Sequence, residues 1–186
     1  MPSYSEYLQI DPLLTLQRPL SDGPEHDEML FIVIHQVYEL WFKQVLHELR
    51  YLERMLEHRD LARAQDARKR GLTILEVLVA QIDILETMTP LEFLSFRDRL
   101  DSGSGFQSAQ FRELEFRLGR KHASALDRYD AGTAARARLE RRLAAPTLNK
   151  RSRKLMRRPL AEALDLPRTG FAVFKDHITQ LEYVRD

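Results

Sequence analysis

Apolar residues recur every three or four positions along most of this chain, and the strict alternation of a half-buried strand is missing. The longest run is His26 to Leu49, HDEMLFIVIHQVYELWFKQVLHEL. At 3.6 residues per turn it places Phe31, His35, Tyr38 and Phe42 on one side and spreads Glu28, Glu39, Lys43 and Glu48 around the rest. Leu46, Leu49, Leu52 and Leu56 continue the stripe, which predicts a helix to about Arg59. Asp60 can cap a second long helix reaching Thr87, with Leu72, Leu75, Leu78, Val79, Ile82 and Leu85 at helical spacing. Gly71 interrupts it at a cost of about 1 kcal/mol relative to Ala. Thr89-Pro90-Leu91-Glu92 reads as a capping box, so a helix starts at Pro90 and groups Phe93, Phe96, Arg97 and Leu100. Gln107 to Leu118 is a further helix ended by Gly119. Thr133 to Ala144 is an Arg-rich one ended by Pro146.

The two ends of the chain are less regular. Tyr4 to Leu16 reads as two short helical pieces interrupted by Pro12, too small to stand without packing on something else. Gln17 to Gly23 holds turn residues, and Pro24 suits the first turn of the long helix. At Asn149 the pattern breaks: NKRSRKLMRR has six basic residues and almost nothing to bury. Beyond it Phe171 to Val184 forms a short helix carrying His177. The expected organisation is an all-α helical domain over 1–148 and a divergent basic and helical segment over 149–186.

Composition narrows the chemistry. A chain of 186 residues that is 44% hydrophobic can bury the core of one domain. Its formal net charge of +1 selects no polyanionic partner, and the basic run lacks the interleaved aromatics that stack on bases, so no nucleic acid is expected. With no cysteine, disulfides, cysteine-ligated zinc, iron–sulfur clusters and thiolate-ligated haem are excluded, leaving His, carboxylates, Tyr or Met for any metal. No apolar run reaches the roughly 18 residues of a membrane span, and MPSYSEYLQIDPLL lacks a signal-peptide layout, so a cytoplasmic protein is expected. Two features carry candidate chemistry. His35, on an apolar face, is either a core imidazole satisfied by a carbonyl or the polar group of an aromatic-walled pocket. DSGSG, Asp101 to Gly105, is either an interhelical turn or a loop whose backbone N–H groups approach a ligand.

The order of these pieces resembles the haem-dependent tryptophan 2,3-dioxygenases. The matching stretches are YSEYLQIDPLL at 4–14, HDEMLFIVIHQVYELWFK at 26–43, LETMTPLEFLSFRDRL at 85–100 and SGSGFQSAQFRELE at 102–115, with a weaker LAAPTL at 143–148. Together they span roughly four-fifths of the chain, and separated motifs in the right order are more specific than any single pattern. The resemblance implies an all-α bundle binding haem b and its iron. The implied reaction inserts O₂ across the indole C2–C3 bond of L-tryptophan to give N-formylkynurenine, in the kynurenine pathway of tryptophan catabolism. It also implies a homotetramer in which Tyr4, Tyr7 and Leu8 close the neighbouring subunit's site.

Carried over by position, His35 takes the role of accepting the indole N–H, Phe31 packs against the indole, and Arg97 clamps the carboxylate. Phe93 stands where the family has Tyr or Phe, and Ser104 and Gly105 line the substrate. The family's iron-ligating histidine, in a W-R-x-R-H context, and its GTGGSSG segment are missing from this sequence, so a C-terminally short or altered member is expected. His177 stands as a surface or partner-contact group and a weak axial candidate, and the metal ligand stays unassigned. Two alternatives remain beside the dioxygenase: a haem-free, non-catalytic oligomeric remnant, and a haem oxygenase for another aromatic amino acid.

Overall fold

The structure, a computed structural model, describes residues 1–23, 25–100, 107–148 and 150, and no strand occurs among them. The order is α1 (Tyr4–Leu8), α2 (Ile10–Leu13), α3 (His26–Glu57), α4 (Leu61–Ala80), α5 (Ile82–Leu85), α6 (Pro90–Arg97), a 3₁₀ turn at Asp98–Leu100, α7 (Ala109–Leu118), a second 3₁₀ turn at Ala123–Arg128, and α8 (Ala134–Ala144). The expected Phe171 to Val184 helix lies outside the described residues, as does Pro24.

With 32 residues, α3 is a rod about 48 Å long at 1.5 Å per residue. Ile34, Tyr38, Phe42, Val45, Leu46, Leu49, Leu52 and Leu56 bury one side of it. Against that side α4 lays Ala64, Ala67, Ile74 and Leu78, α5 adds Ile82 and Leu85, and α7 adds Phe111 and Leu114. The turn between α3 and α4 is short. Arg59 takes a left-handed φ of 60° and Asp60 accepts the Arg63 N–H at 3.1 Å, so the two helices double back as a hairpin. Within that hairpin the Tyr38 hydroxyl donates to the Leu78 carbonyl at 2.9 Å.

Gly71 is buried in α4, and a Cβ built there meets nothing within 4 Å. Val45, Leu49, Leu52, Leu75 and Leu114 line the apolar crevice it faces. Gly71→Ala should therefore gain helix propensity and lose unfolded-state entropy without a clash, raising stability by about 0.5–1 kcal/mol. Thermal unfolding of the variant checks this, and a lower midpoint would count against it.

Two expected boundaries move. The helix from Asp60 to Thr87 is broken at Gln81, after which the bonding tightens to i−3: the Ile84 N–H donates to Gln81 O at 3.2 Å and Met88 N–H to Leu85 O at 3.1 Å. This re-aims the stripe, burying Ile82, Leu85 and Met88 while Ile84 turns outward. At the N-terminus the break falls at Gln9, whose φ is 53°, and not at Pro12. Pro12 is the third residue of α2, where a helix has no use for the missing N–H.

The second departure is α7. Its sequence AQFRELEFRL looks half exposed, yet every residue from Phe111 to Arg117 is buried. The charges answer one another. Arg117 donates to Glu53 of α3 at 3.2 Å and to Glu113 at 3.1 Å, Arg138 of α8 reaches Glu113 at 3.6 Å, and Arg112 pairs with Glu115. Behind them Phe116, Leu126 and Leu139 make a second, smaller core.

Candidate active site

The site is built where α6 crosses the first third of α3. Thr89 and Glu92 form the expected capping box, with the Thr89 N–H donating to Glu92 at 2.6 Å and the Glu92 N–H to Thr89 Oγ1 at 3.4 Å. Pro90 follows at the first helical position, which fixes the register of α6. That register buries Phe96 completely and half-buries Phe93 and Arg97. Phe31 of α3 lies 5.7 Å from Phe93 and 5.6 Å from Phe96 between ring centroids, and Phe93 meets Phe96 edge-on at 5.5 Å. The three rings form an aromatic wall, each pair within the range where edge and offset contacts are favourable.

The wall has a polar group at each end. The His35 ring sits 4.1 Å from Phe31, and the Arg97 guanidinium stands over Phe93 at 5.8 Å. The structure thus brings His35, Phe31, Phe93 and Arg97 into one row. Of the four apolar-face residues expected together on α3, it divides Phe31 and His35, which face α6, from Tyr38 and Phe42, which belong to the core.

His35 Nδ1 is 2.7 Å from the Phe31 carbonyl. A carbonyl only accepts, so Nδ1 carries the proton and the lone pair of a neutral ring sits on Nε2. Burial pushes the imidazole pKa down, outweighing the Phe31 carbonyl and Glu39, which push it up. At neutral pH His35 is therefore an uncharged acceptor beside an aromatic wall. Its two expected roles do not exclude each other geometrically, because Nδ1 is satisfied by the backbone while the ring also stands at the end of the aromatic wall.

Glu28, which the sequence marked only as polar, fastens the approach to this site. It is 1% exposed in the first turn of α3, where its carboxylate accepts the Leu20 N–H at 2.6 Å, the Ser21 N–H at 3.0 Å and the Ser21 hydroxyl. Arg99 ties the other side of the connector, donating to Leu20 O at 3.3 Å. Burial pulls the Glu28 carboxyl up, but the bonds from Leu20 and Ser21, helped by Arg99, together hold it below its ordinary value. Glu28→Gln should cost about 1–3 kcal/mol. Because the folded-state pKa is lowered, the wild-type advantage is present above the ordinary 4.5 and lost as pH falls through the lowered value. Unfolding of both proteins across pH 7 to 3 should show the difference closing in acid.

The remaining expected site residues are not in the row. Tyr4 and Tyr7 are 78% and 77% exposed on α1, and Leu8 is exposed beside them, so α1 does not pack them on the chain's own core. Ser104, Gly105 and His177 lie outside the described residues. Beside a porphyrin, the described residues would supply apolar surroundings, an aromatic wall edged by one imidazole acceptor and one guanidinium. They supply no cluster of three or more metal-ligating side chains, and His35 has one nitrogen committed to backbone. No helix among them is long and apolar enough to cross a membrane.

Comparison with known proteins bears on the family. The sequence profile of the family described as tryptophan 2,3-dioxygenase matches residues 2–181. The tryptophan 2,3-dioxygenase of Herpetosiphon aurantiacus is 58% identical over 146 residues, covering 78% of this chain and 56% of that protein. Those of Anaeromyxobacter sp. (strain K) and Caulobacter vibrioides are 53% and 47% identical, with 78% of this chain and 54% and 55% of theirs covered. The chain spans about half the length of the curated relatives it matches. With its all-helical fold and a match along nearly the whole sequence, the chain belongs to the tryptophan 2,3-dioxygenase family.

Proposed function

We propose that this chain serves a haem-dependent dioxygenase that opens the indole ring of L-tryptophan with O₂ to give N-formylkynurenine, the entry to the kynurenine pathway. The observation that carries the reading is the row from His35 through Phe31 and Phe93 to Arg97. Tryptophan matches that row in chemistry, since an indole N–H donor, a flat apolar ring system and a carboxylate meet an acceptor, an aromatic wall and a guanidinium. His35 Nε2 accepts the indole N–H, and Phe31 packs on the ring. Arg97 grips the carboxylate with its planar fork while Phe93 keeps water from that ion pair. Holding the substrate at both ends fixes where C2 and C3 lie, so orientation is this chain's main contribution. Haem b would supply the redox capacity for O₂.

Ser104 and Gly105 would line the substrate. Tyr4, Tyr7 and Leu8, exposed on α1, would close the site of a neighbouring subunit in a homotetramer. A cytoplasmic location accords with this metabolic role. The test is reconstitution of the full chain with haem. A Soret band that shifts on adding L-tryptophan, with N-formylkynurenine formed in air, is the expected result. Absence of both would overturn the reading and favour a haem-free remnant, whereas turnover of another aromatic amino acid in preference would reassign the substrate.

A further inference from the structure

Glu39 lies one helical turn after His35, on the same side of α3. Helical side chains lean toward the preceding turn, so an untethered Glu39 carboxylate would rest over the imidazole. It is not untethered. Gln110, in the first turn of α7, donates from Nε2 to the Glu39 carboxylate at 2.7 Å and to the Glu39 carbonyl at 2.9 Å. Both acceptors lack protons, so the amide must present its nitrogen, and both of its protons are spent on one residue. The clip is half-buried and joins the helix that carries His35 to the helix that follows the glycine-rich 101–106 stretch.

We propose that Gln110 is a positioning residue: by holding the Glu39 carboxylate on the α7 side of α3, it keeps His35 an uncharged acceptor for the substrate N–H. Other charged and titratable groups around this pair are Arg97 on α6, beyond the Phe93 ring, Arg112 of α7 with its partner Glu115, and the Tyr129 phenol, which both Glu39 and Arg112 influence. Arg112 is engaged with Glu115, and among these groups it is Glu39 whose charge acts on the His35 ring. Glu39 is thus the anion that, if released, would stabilise the imidazolium His35 forms by taking a proton from water, turning Nε2 from acceptor to donor. The proposal rests on the reading of His35 as the acceptor of the indole N–H.

The experiment is an NMR titration of the imidazole nitrogens of the full chain without tryptophan, the His35 signal being assigned by its loss in His35→Gln. Gln110→Met should raise the His35 midpoint by about one pH unit or more, the effect of an opposite charge brought within contact range. Adding Glu39→Gln to that variant should return it. If Gln110→Met does not fold, Gln110→Asn, too short to span both acceptors, should give the same rise. A midpoint that stays in place in the folded variant, or a rise that Glu39→Gln does not reverse, overturns the proposal. Adding L-tryptophan to the wild type separately tests the functional reading: no response of the His35 signal would sink that reading, while the rise and its reversal would still establish the clip.

Discussion

Replacing Arg117 with methionine should lower stability by about 3–5 kcal/mol, the largest effect expected of any single substitution in the helical core. Arg117 is 3% exposed and answers two carboxylates from different elements, Glu53 of α3 and Glu113 of α7, both themselves buried. Methionine fills the space of the stem but leaves those two negative charges in a low-dielectric interior, with Arg138 at 3.6 Å the nearest replacement for one of them. Denaturant unfolding measures this directly as a drop in midpoint at unchanged slope. A loss under about 1 kcal/mol would mean that water or a rearranged Arg138 takes over the role. The same reasoning sets a contrast with Tyr38, whose hydroxyl donates a neutral bond to the Leu78 carbonyl: Tyr38→Phe should cost no more than about 1–2 kcal/mol.

Arg97→Leu should cut L-tryptophan affinity by about 30- to 150-fold, equivalent to roughly 2–3 kcal/mol for a charge-assisted pair lost from a partly dry site. The control is tryptamine, which has the indole and the amine but no carboxylate. Its affinity should be indifferent to Arg97, and a comparable fall for tryptamine would show that the substitution had disturbed the aromatic wall instead. Lysine at this position should recover only part of the loss, because a point charge cannot reproduce the two-pronged grip. The pH profile reports the other end of the row. Burial holds the His35 pKa below its ordinary 6.5, so affinity should stay level as pH falls past 6.5 and drop only as the imidazole takes its proton at lower pH.

Much of this architecture can be read from local pattern. The capping box at Thr89 sets the start of α6 to the residue, Ser108 and Thr133 cap α7 and α8, and Gly119 ends α7 in the left-handed conformation expected of it. These signals are local because a helix end is a backbone problem solved within a few residues. What the pattern does not disclose is partnership. Arg112, Glu113, Glu115 and Arg117 read as an exposed stripe, since periodicity records polarity and cannot see that each charge meets another across a helix interface. The break at Gln81 is similarly hidden: no glycine or proline marks it, and only the need to bury Ile82, Leu85 and Met88 explains it. The grouping of Phe93, Phe96 and Arg97 on one helix was legible. Their meeting with Phe31 and His35 depends on how α6 crosses α3, which spacing alone does not encode. Glu28 and Gln110 escaped notice because each looks like an ordinary surface residue until the loop or helix it holds is in place.

The rod α3 serves two purposes along one axis, with Phe31 and His35 near its start and the leucine seam from Leu46 to Leu56 toward its end. Every residue inserted or deleted between Phe42 and Val45 would swing the first part by about 100° relative to the second. Such a change would leave a sound hydrophobic seam and an imidazole aimed away from α6. The phase of α3 is therefore as much a part of the site as its side chains: a conservative substitution between the two stretches leaves the imidazole aimed at α6, whereas a single-residue insertion turns it away.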